Sequence, residues 1–127
     1  MLPAITLEVE PTDSGLRLMA AELTAFAKDH ELPGAVGARM VSVAGDVAGA
    51  LLAALEAPPV GRLQADADIG VEDAQLVLIA SDHRLSDAHA SLRPVLDRLG
   101  ARCDGFAAEL APNGDLQVWA RFRLALA

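Results

Sequence analysis

Apolar and polar residues alternate along four stretches of the chain, which predicts β-strands because successive side chains of a strand point to opposite faces. A fifth stretch, 75–80, is continuously apolar, as expected of a central strand buried on both faces or nearly so. The five predicted strands are 4–10, 62–69, 75–80, 102–110 and 116–126. The last of them alternates most regularly, and Asn113-Gly114 before it is a strong hairpin-turn signal.

Apolar residues recur at steps of three and four in two further stretches, which predicts amphipathic helices. The first runs from N-cap candidates at 12–14 to about residue 31. The second is long, 33–56, with Pro33 as its first helical residue. A short third helix is predicted from residue 88 or 91 to 99, ended by Gly100.

The long helix carries a second row of residues at helical spacing, and this row is small and polar rather than bulky. Its members are Arg39, Ser42, Asp46, Gly49 and Ala53. One face of the helix is therefore expected to pack on the core. The other is expected to line a shallow site or to meet another element of the fold.

The predicted order is β-α-α-β-β-α-β-β, with 127 residues that most simply form one domain spanning 1–127. Helices in this order would cover one face of a mostly antiparallel sheet. The sequence therefore predicts an α+β fold, a two-layer α/β sandwich. The core must be built from Leu, Val and Ala, because aromatic residues make up only 3% of the chain.

Charge and cysteine content exclude several classes of function. A net charge of −8 argues against nucleic acid as the main partner, because phosphate binding needs clustered Lys and Arg. A single cysteine, Cys103, cannot form an intramolecular disulfide and suits a reducing cytoplasm. No apolar run approaches the roughly 20 residues that span a bilayer, and the start of the chain does not resemble a signal peptide. We therefore expect a cytoplasmic protein without a membrane partner.

Several segments together resemble the histidine-kinase-like ATPase superfamily (GHKL, or Bergerat fold). They are the LxxFA pattern at 23–27, the corner at Leu32-Pro33 that leads into the long helix, LDRLGAR at 96–102 and the closing NGDLQVWARFRLAL. The chain is most similar to the small anti-sigma factor and serine-kinase regulatory proteins of bacteria. The resemblance covers nearly the whole sequence and implies the same order of elements.

The nucleotide motifs that this resemblance implies are altered in this chain. The family's long helix carries a Glu that activates a water or hydroxyl and, four residues later, an Asn that binds Mg²⁺. Those positions correspond here to Asp46 and Ala50, and Ala50 has no oxygen to offer a cation. Asp82 corresponds to the family's adenine-binding Asp, but no glycine follows it closely. Ser91 lies where a glycine-rich phosphate turn is expected.

The resemblance therefore implies the ATPase fold with a vestigial nucleotide cleft around Asp46, Asp82 and Ser91. Asp46 remains a weak catalytic candidate. We expect no cofactor; ATP and Mg²⁺ would bind only if these altered residues still form a working site. No Cys, His or Asp spacing matches a metal site, and His83 and His89 are best interpreted as exposed loop histidines rather than a phosphoacceptor or metal pair. Cys103 is interpreted as a small apolar residue of a strand.

Trp119 lies on the polar side of the last predicted strand, followed by Arg121 and Arg123. If helices cover the opposite face, these three side chains project from an open sheet face. Trp and Arg are enriched at the energetic centres of protein interfaces. They are therefore candidate partner-binding residues, for a homodimer or for an acidic partner. The alternative is that Trp119 packs under a loop or on the first strand.

Three functional hypotheses follow. The first is a regulatory pseudo-ATPase that binds a protein partner, either a sigma factor or a STAS-type antagonist, in signal transduction or transcription control. The second is an active ATP-dependent serine/threonine kinase that uses Asp46 and Asp82. The third, a phosphorelay adaptor, would need a helical domain with a phosphoacceptor histidine, for which the chain has no room.

Overall fold

Two helices cover one face of a five-stranded sheet in the computed structural model of this protein. The structure describes residues 3–53, 61–81, 93–94, 97–98, 102–112 and 115–124. The elements are β1 (Ala4–Val9), α1 (Asp13–Asp29), α2 (Gly34–Ala53), β2 (Arg62–Ile69), β3 (Asp73–Ser81), β4 (Gly105–Leu110) and β5 (Leu116–Arg123). The α+β two-layer architecture predicted from the sequence is confirmed.

The sheet has the strand order β1-β2-β3-β5-β4, and every neighbouring pair is antiparallel. β3 therefore lies at its centre, with two strands on either side. The helices contact the sheet through α1 against β1 and through α2 against β3 and β5. This places the small, polar row of α2 close to the end of the sheet where β4 begins.

α1 is capped at both ends, and its C-terminal cap forms the corner that leads into α2. The Thr12 side chain accepts a hydrogen bond from the Gly15 backbone N–H at 3.1 Å, as the N-cap prediction requires. At the other end, Leu32 N–H donates to Ala27 O and Glu31 N–H donates to Lys28 O, which together form a Schellman motif. Glu31 adopts the left-handed conformation, with φ of 57°, that this motif usually assigns to glycine.

The core lies between the two layers and consists of one cluster of buried side chains. It combines the inward residues of the four strands β1, β2, β3 and β5 with the apolar faces of α1 and α2. α2 alone contributes eight buried positions, which are Val36, Gly37, Met40, Val43, Ala44, Val47, Ala48 and Leu51. By length and apolar composition this helix would also qualify as a membrane span. Its buried face packs against the sheet, as in the core helix of a globular domain.

Three predicted boundaries differ from the structure, two of them for identifiable reasons. α2 begins at Gly34, and Pro33 precedes it, because the Pro33 carbonyl accepts the first helical bond from Gly37 N–H at 3.0 Å. β4 begins at Gly105 rather than at residue 102, since the side chains of Arg102 and Asp104 are engaged by other elements. β5 ends at Arg123 instead of continuing to residue 126.

The predicted third helix lies largely outside the described residues. Arg93, Pro94, Asp97 and Arg98 are helical and exposed, and Arg93 Nε lies 3.5 Å from Asp97 Oδ1 one turn later. The prediction that β3 is a central strand is confirmed, and its burial is complete on one face only. Its residues alternate between buried side chains facing the helices and less buried side chains on the other face.

Candidate functional site

The polar row of α2, defined here as Arg39, Ser42 and Asp46, contacts residues 102–104. This segment leads into β4 and lies beside the end of β5. The helical period brings the three row members onto one face of α2, and each meets a charged side chain of the segment. This face was expected either to line a site or to meet another element. At these three positions it meets another element, the segment 102–104.

Arg102 joins two members of the row. Its guanidinium forms an ion pair with the Asp46 carboxylate and donates a second hydrogen bond to the Ser42 hydroxyl. A guanidinium presents several N–H donors in a fixed fork, so it can hold two acceptors one helical turn apart. The side chains of Asp46 and Arg102 are 55% and 39% exposed, so solvent screens this pair substantially.

Asp104 makes the second connection. Its carboxylate lies 3.8 Å from Arg39 and accepts a hydrogen bond from the Arg123 backbone N–H at 2.6 Å. Its own N–H donates to the Arg121 carbonyl at 2.8 Å. The Arg39 guanidinium also lies 5.9 Å from the centre of the buried Phe122 ring, within cation–π distance. Asp104 therefore links the polar row of α2 to the end of β5.

Cys103 lies between these two charged residues and was wrongly predicted to belong to a strand. Its side chain is half-buried and packs against the core. Burial raises the pKa of the Cys103 thiol, while the guanidinium groups of Arg102 and Arg39 partly oppose that rise. Because only the thiolate is a good nucleophile, this environment does not favour a reactive cysteine.

The predicted nucleotide-site residues are only partly described. Asp46 lies on α2 with Arg102 beside it, and the Ala50 side chain, one turn later, packs against the core. Asp82, Ser91, His83 and His89 lie outside the described residues. Within the described ranges, no group of three or more His, Cys, Asp or Glu side chains could hold a metal ion.

Sequence analysis missed Arg102 and Asp104 as members of this site. The signal that could have found them is charge complementarity. The segment carries one Arg and one Asp, and the polar row of α2 also carries one Arg and one Asp. No local pattern indicates the pairing, since Asp46 and Arg102 are 56 positions apart in the chain. Both residues had been assigned to a regular strand.

A separate, mostly apolar concavity of about 580 Å³ lies between the two helices. It is lined by the second half of α1, by Leu32 in the corner and by the first half of α2, including Lys28 and Val41. Ser42 is the member of the polar row that lines it. Asp46, the one described residue of the predicted nucleotide cleft, is not among its described lining residues.

Trp119, Arg121 and Arg123 lie on the sheet face opposite the helices, as the alternation of β5 predicts. The side chains between them, Val118, Ala120 and Phe122, are buried in the core. Trp119 is half-buried on its own face and sits in register with Val77 of β3. Arg121 lies against Gly105 of β4 and 3.9 Å from Asp73.

No protein-family profile matches this sequence, and no curated protein matches it either. Solved structures do match. One is the crystal structure of the RsbU and RsbW domains of Rv1364c from Mycobacterium tuberculosis, with a TM-score of 0.75 and 14% sequence identity. The match covers 98% of this chain and 33% of that one, so this chain spans about a third of its neighbour's length. The histidine-kinase-like fold implied by the sequence resemblance is thereby confirmed, and at this identity the likeness concerns the fold alone.

Proposed function

We propose that this protein is a regulatory pseudo-ATPase of the anti-sigma factor type, which acts by binding a protein partner and neither hydrolyses ATP nor transfers its phosphate. The observation that carries the proposal is the contact of Arg102 with Asp46 and Ser42. Asp46 is the one residue of the altered nucleotide motifs that the structure describes and that could still do chemistry. Its carboxylate is already paired with a cation from its own chain.

The physical argument concerns charge and ligands. Phosphoryl transfer needs a metal ion to offset the charge of the phosphate oxygens and a free acceptor to orient the nucleophile. The Arg102 guanidinium occupies the Asp46 carboxylate in the resting protein. It therefore competes with a metal ion and with a nucleophile for the same oxygens. At the position expected to bind Mg²⁺, Ala50 presents a methyl group packed against the core. These two features support a loss of catalysis on a retained fold.

The proposed partner is a sigma factor or a STAS-type antagonist in the cytoplasm. Support comes from the resemblance to anti-sigma and serine-kinase proteins and from a fold neighbour that includes an RsbW domain. The net charge of −8 further disfavours a direct role on nucleic acid. Regulation through protein binding needs the shape of the domain but no intact nucleotide site.

The decisive experiment is calorimetric titration of the purified protein with ATP and Mg²⁺, with Asp82→Asn as the matched control. We expect no heat of binding up to millimolar nucleotide for either protein. Magnesium-dependent binding at micromolar nucleotide that is lost in Asp82→Asn would overturn the proposal. The active serine/threonine kinase would then be the better interpretation, and phosphate transfer to a STAS-type protein would be measured directly.

Arg102→Ala provides a second arm of the same experiment. If Arg102 alone excluded the metal and nucleotide, its removal would restore magnesium-dependent binding. We expect no restoration, because Ala50 still lacks a ligand oxygen. Weak nucleotide binding that does not depend on Mg²⁺ would leave the proposal standing, since it provides no route to phosphoryl transfer.

A further inference from the structure

The concavity between α1 and α2 has the size and composition of a small-molecule site. Its volume of about 580 Å³ falls within the roughly 300–1,000 Å³ of such sites, which are mostly apolar with a few polar groups. Most of its described lining residues are apolar or small, namely Ala27, Leu32, Gly34, Gly37, Ala38 and Val41. The others are Thr24, Lys28 and Ser42. Such a lining suits a ligand with an apolar body and one polar end.

The space arises where small residues of the two helices face one another. A Cβ added at Gly37 would lie 3.2 Å from the Ala27 Cβ, so the helices approach closely at this point. At Gly34, by contrast, an added Cβ would find nothing within 4 Å. The lining of α2 extends from Gly34 to Ser42, a length of about 12 Å at a rise of about 1.5 Å per residue.

Lys28 is the only lysine in the sequence and the only charged residue among the described lining residues. Within the part of the chain that the structure describes, it makes no hydrogen bond or ion pair. The other polar groups are engaged, because the Thr24 hydroxyl donates to Ala20 O at 2.7 Å and the Ser42 hydroxyl accepts from Arg102. The Lys28 ammonium therefore has unused donors, and the charge that complements it is negative.

We propose that this concavity binds a medium-chain fatty carboxylate, with the carboxylate on Lys28 and the alkyl chain directed towards Val41. The contact of Ala27 with Gly37 sets this direction, because Lys28 then lies towards the corner and Val41 away from it. The start of α2 lies at the corner end. Its first turn has no acidic residue, and its backbone N–H groups favour an anion.

The length and charge of the site select this class of ligand. An extended alkyl chain of about ten carbons, with bonds of about 1.5 Å, matches the length of the concavity. A phosphate ester is disfavoured, because one ammonium group offsets only part of its charge of about −2. The inference is independent of the proposed function, which concerns nucleotide and a protein partner.

Calorimetric titration with decanoate, below its micelle concentration, tests the proposal. We expect saturable binding, and octanoate should bind about fifteenfold more weakly, because each methylene group lost from an apolar site costs about fourfold in affinity. Decyltrimethylammonium is the control for charge and should bind more weakly than decanoate. The net charge of −8 would favour this cation in non-specific binding, so a preference for the carboxylate indicates a specific cation in the site.

Variants of the lining locate the binding. Lys28→Gln should weaken decanoate binding at least about tenfold, and Lys28→Arg should largely retain it, because the arginine preserves the charge. Ala38→Phe should fill the concavity and abolish binding. Ala35→Phe is the matched control, since Ala35 is exposed on the same helix and is not among the described lining residues. Circular dichroism and urea denaturation establish that each variant is folded.

An absence of binding heat at millimolar decanoate would overturn the proposal. So would equal affinities for octanoate and decanoate, or equal effects of Ala38→Phe and Ala35→Phe, because the ligand would then bind elsewhere. If Ala38→Phe but not Ala35→Phe changed the sedimentation coefficient of the ligand-free protein, the concavity would be a protein contact and the proposal would be wrong. The nucleotide titration uses other ligands, so the two proposals fail separately.

Discussion

The tightest contact of a glycine in the described structure lies where the chain passes from β1 into α1, and it gives a sharp test of the packing. A Cβ added at Gly15 would lie 1.8 Å from the backbone oxygen of Glu10 and 2.8 Å from its carbonyl carbon. Real Cβ atoms essentially never approach closer than 3.0 Å, so Gly15→Ala requires a movement of at least 1.2 Å (3.0 minus 1.8). Glu10 cannot yield as a flexible side chain would, because the contacted atoms belong to its backbone.

The movement would disturb bonds on both sides of the contact. Glu10 O accepts from Thr12 N–H at 2.8 Å, and the Thr12 side chain caps α1 through Gly15 N–H. Overpacking of this kind costs about 1–3 kcal/mol, and loss of an N-cap costs about 0.5–2 kcal/mol. The better helix propensity of Ala returns at most about 1 kcal/mol. We therefore expect Gly15→Ala to lower the free energy of unfolding by about 2–3 kcal/mol.

Urea denaturation followed by circular dichroism measures this change. With a denaturant slope of about 2 kcal/mol per molar, the midpoint should fall by about 1–1.5 M with the slope unchanged. Gly45→Ala is the control, since nothing lies within 4 Å of its added Cβ near the middle of α2. That variant should gain about 0.5–1 kcal/mol. A Gly15→Ala protein as stable as the wild type would refute the close approach of α1 to β1.

Three further predictions concern caps, pH and the polar row. Glu31→Gly should stabilise the protein by about 0.5–1 kcal/mol in the same urea assay, because glycine adopts the left-handed corner without steric cost. Raising the pH above 9.0, the ordinary pKa of a cysteine, should lower stability: burial raises the pKa of Cys103 in the folded protein, so the unfolded chain releases its proton first. Cys103→Ala should flatten that pH dependence between pH 8 and 10. A double-mutant cycle of Asp46→Ala with Arg102→Ala should give a coupling of about 0.5–1 kcal/mol that salt weakens, as for exposed ion pairs.

The sequence predicted most of the fold because its strands and helices differ in period. On β5, Arg121 and Arg123 alternate with the apolar residues Ala120 and Phe122, which indicates which face is buried, and the structure agrees. On β3, residues 76–80 are all apolar, so this run predicts a central strand but cannot show which face the helices cover. At Arg102, strand-like alternation was overridden by contacts with α2, which a local pattern does not contain.

The helix layer and the sheet are connected at the end of β5, and this connection has a consequence for stability. The polar row with Arg102 lies on the helix layer, whereas Trp119 and Arg121 lie on the sheet face opposite the helices. β5 joins the layers, because Asp104 accepts from the Arg123 backbone and reaches Arg39 on α2. Asp104→Ala should therefore lower the free energy of unfolding by about 1–2 kcal/mol in the urea assay, because it removes the acceptor of the Arg123 N–H and the carboxylate beside Arg39. An unchanged urea midpoint would show that other contacts hold α2 and the end of β5 together.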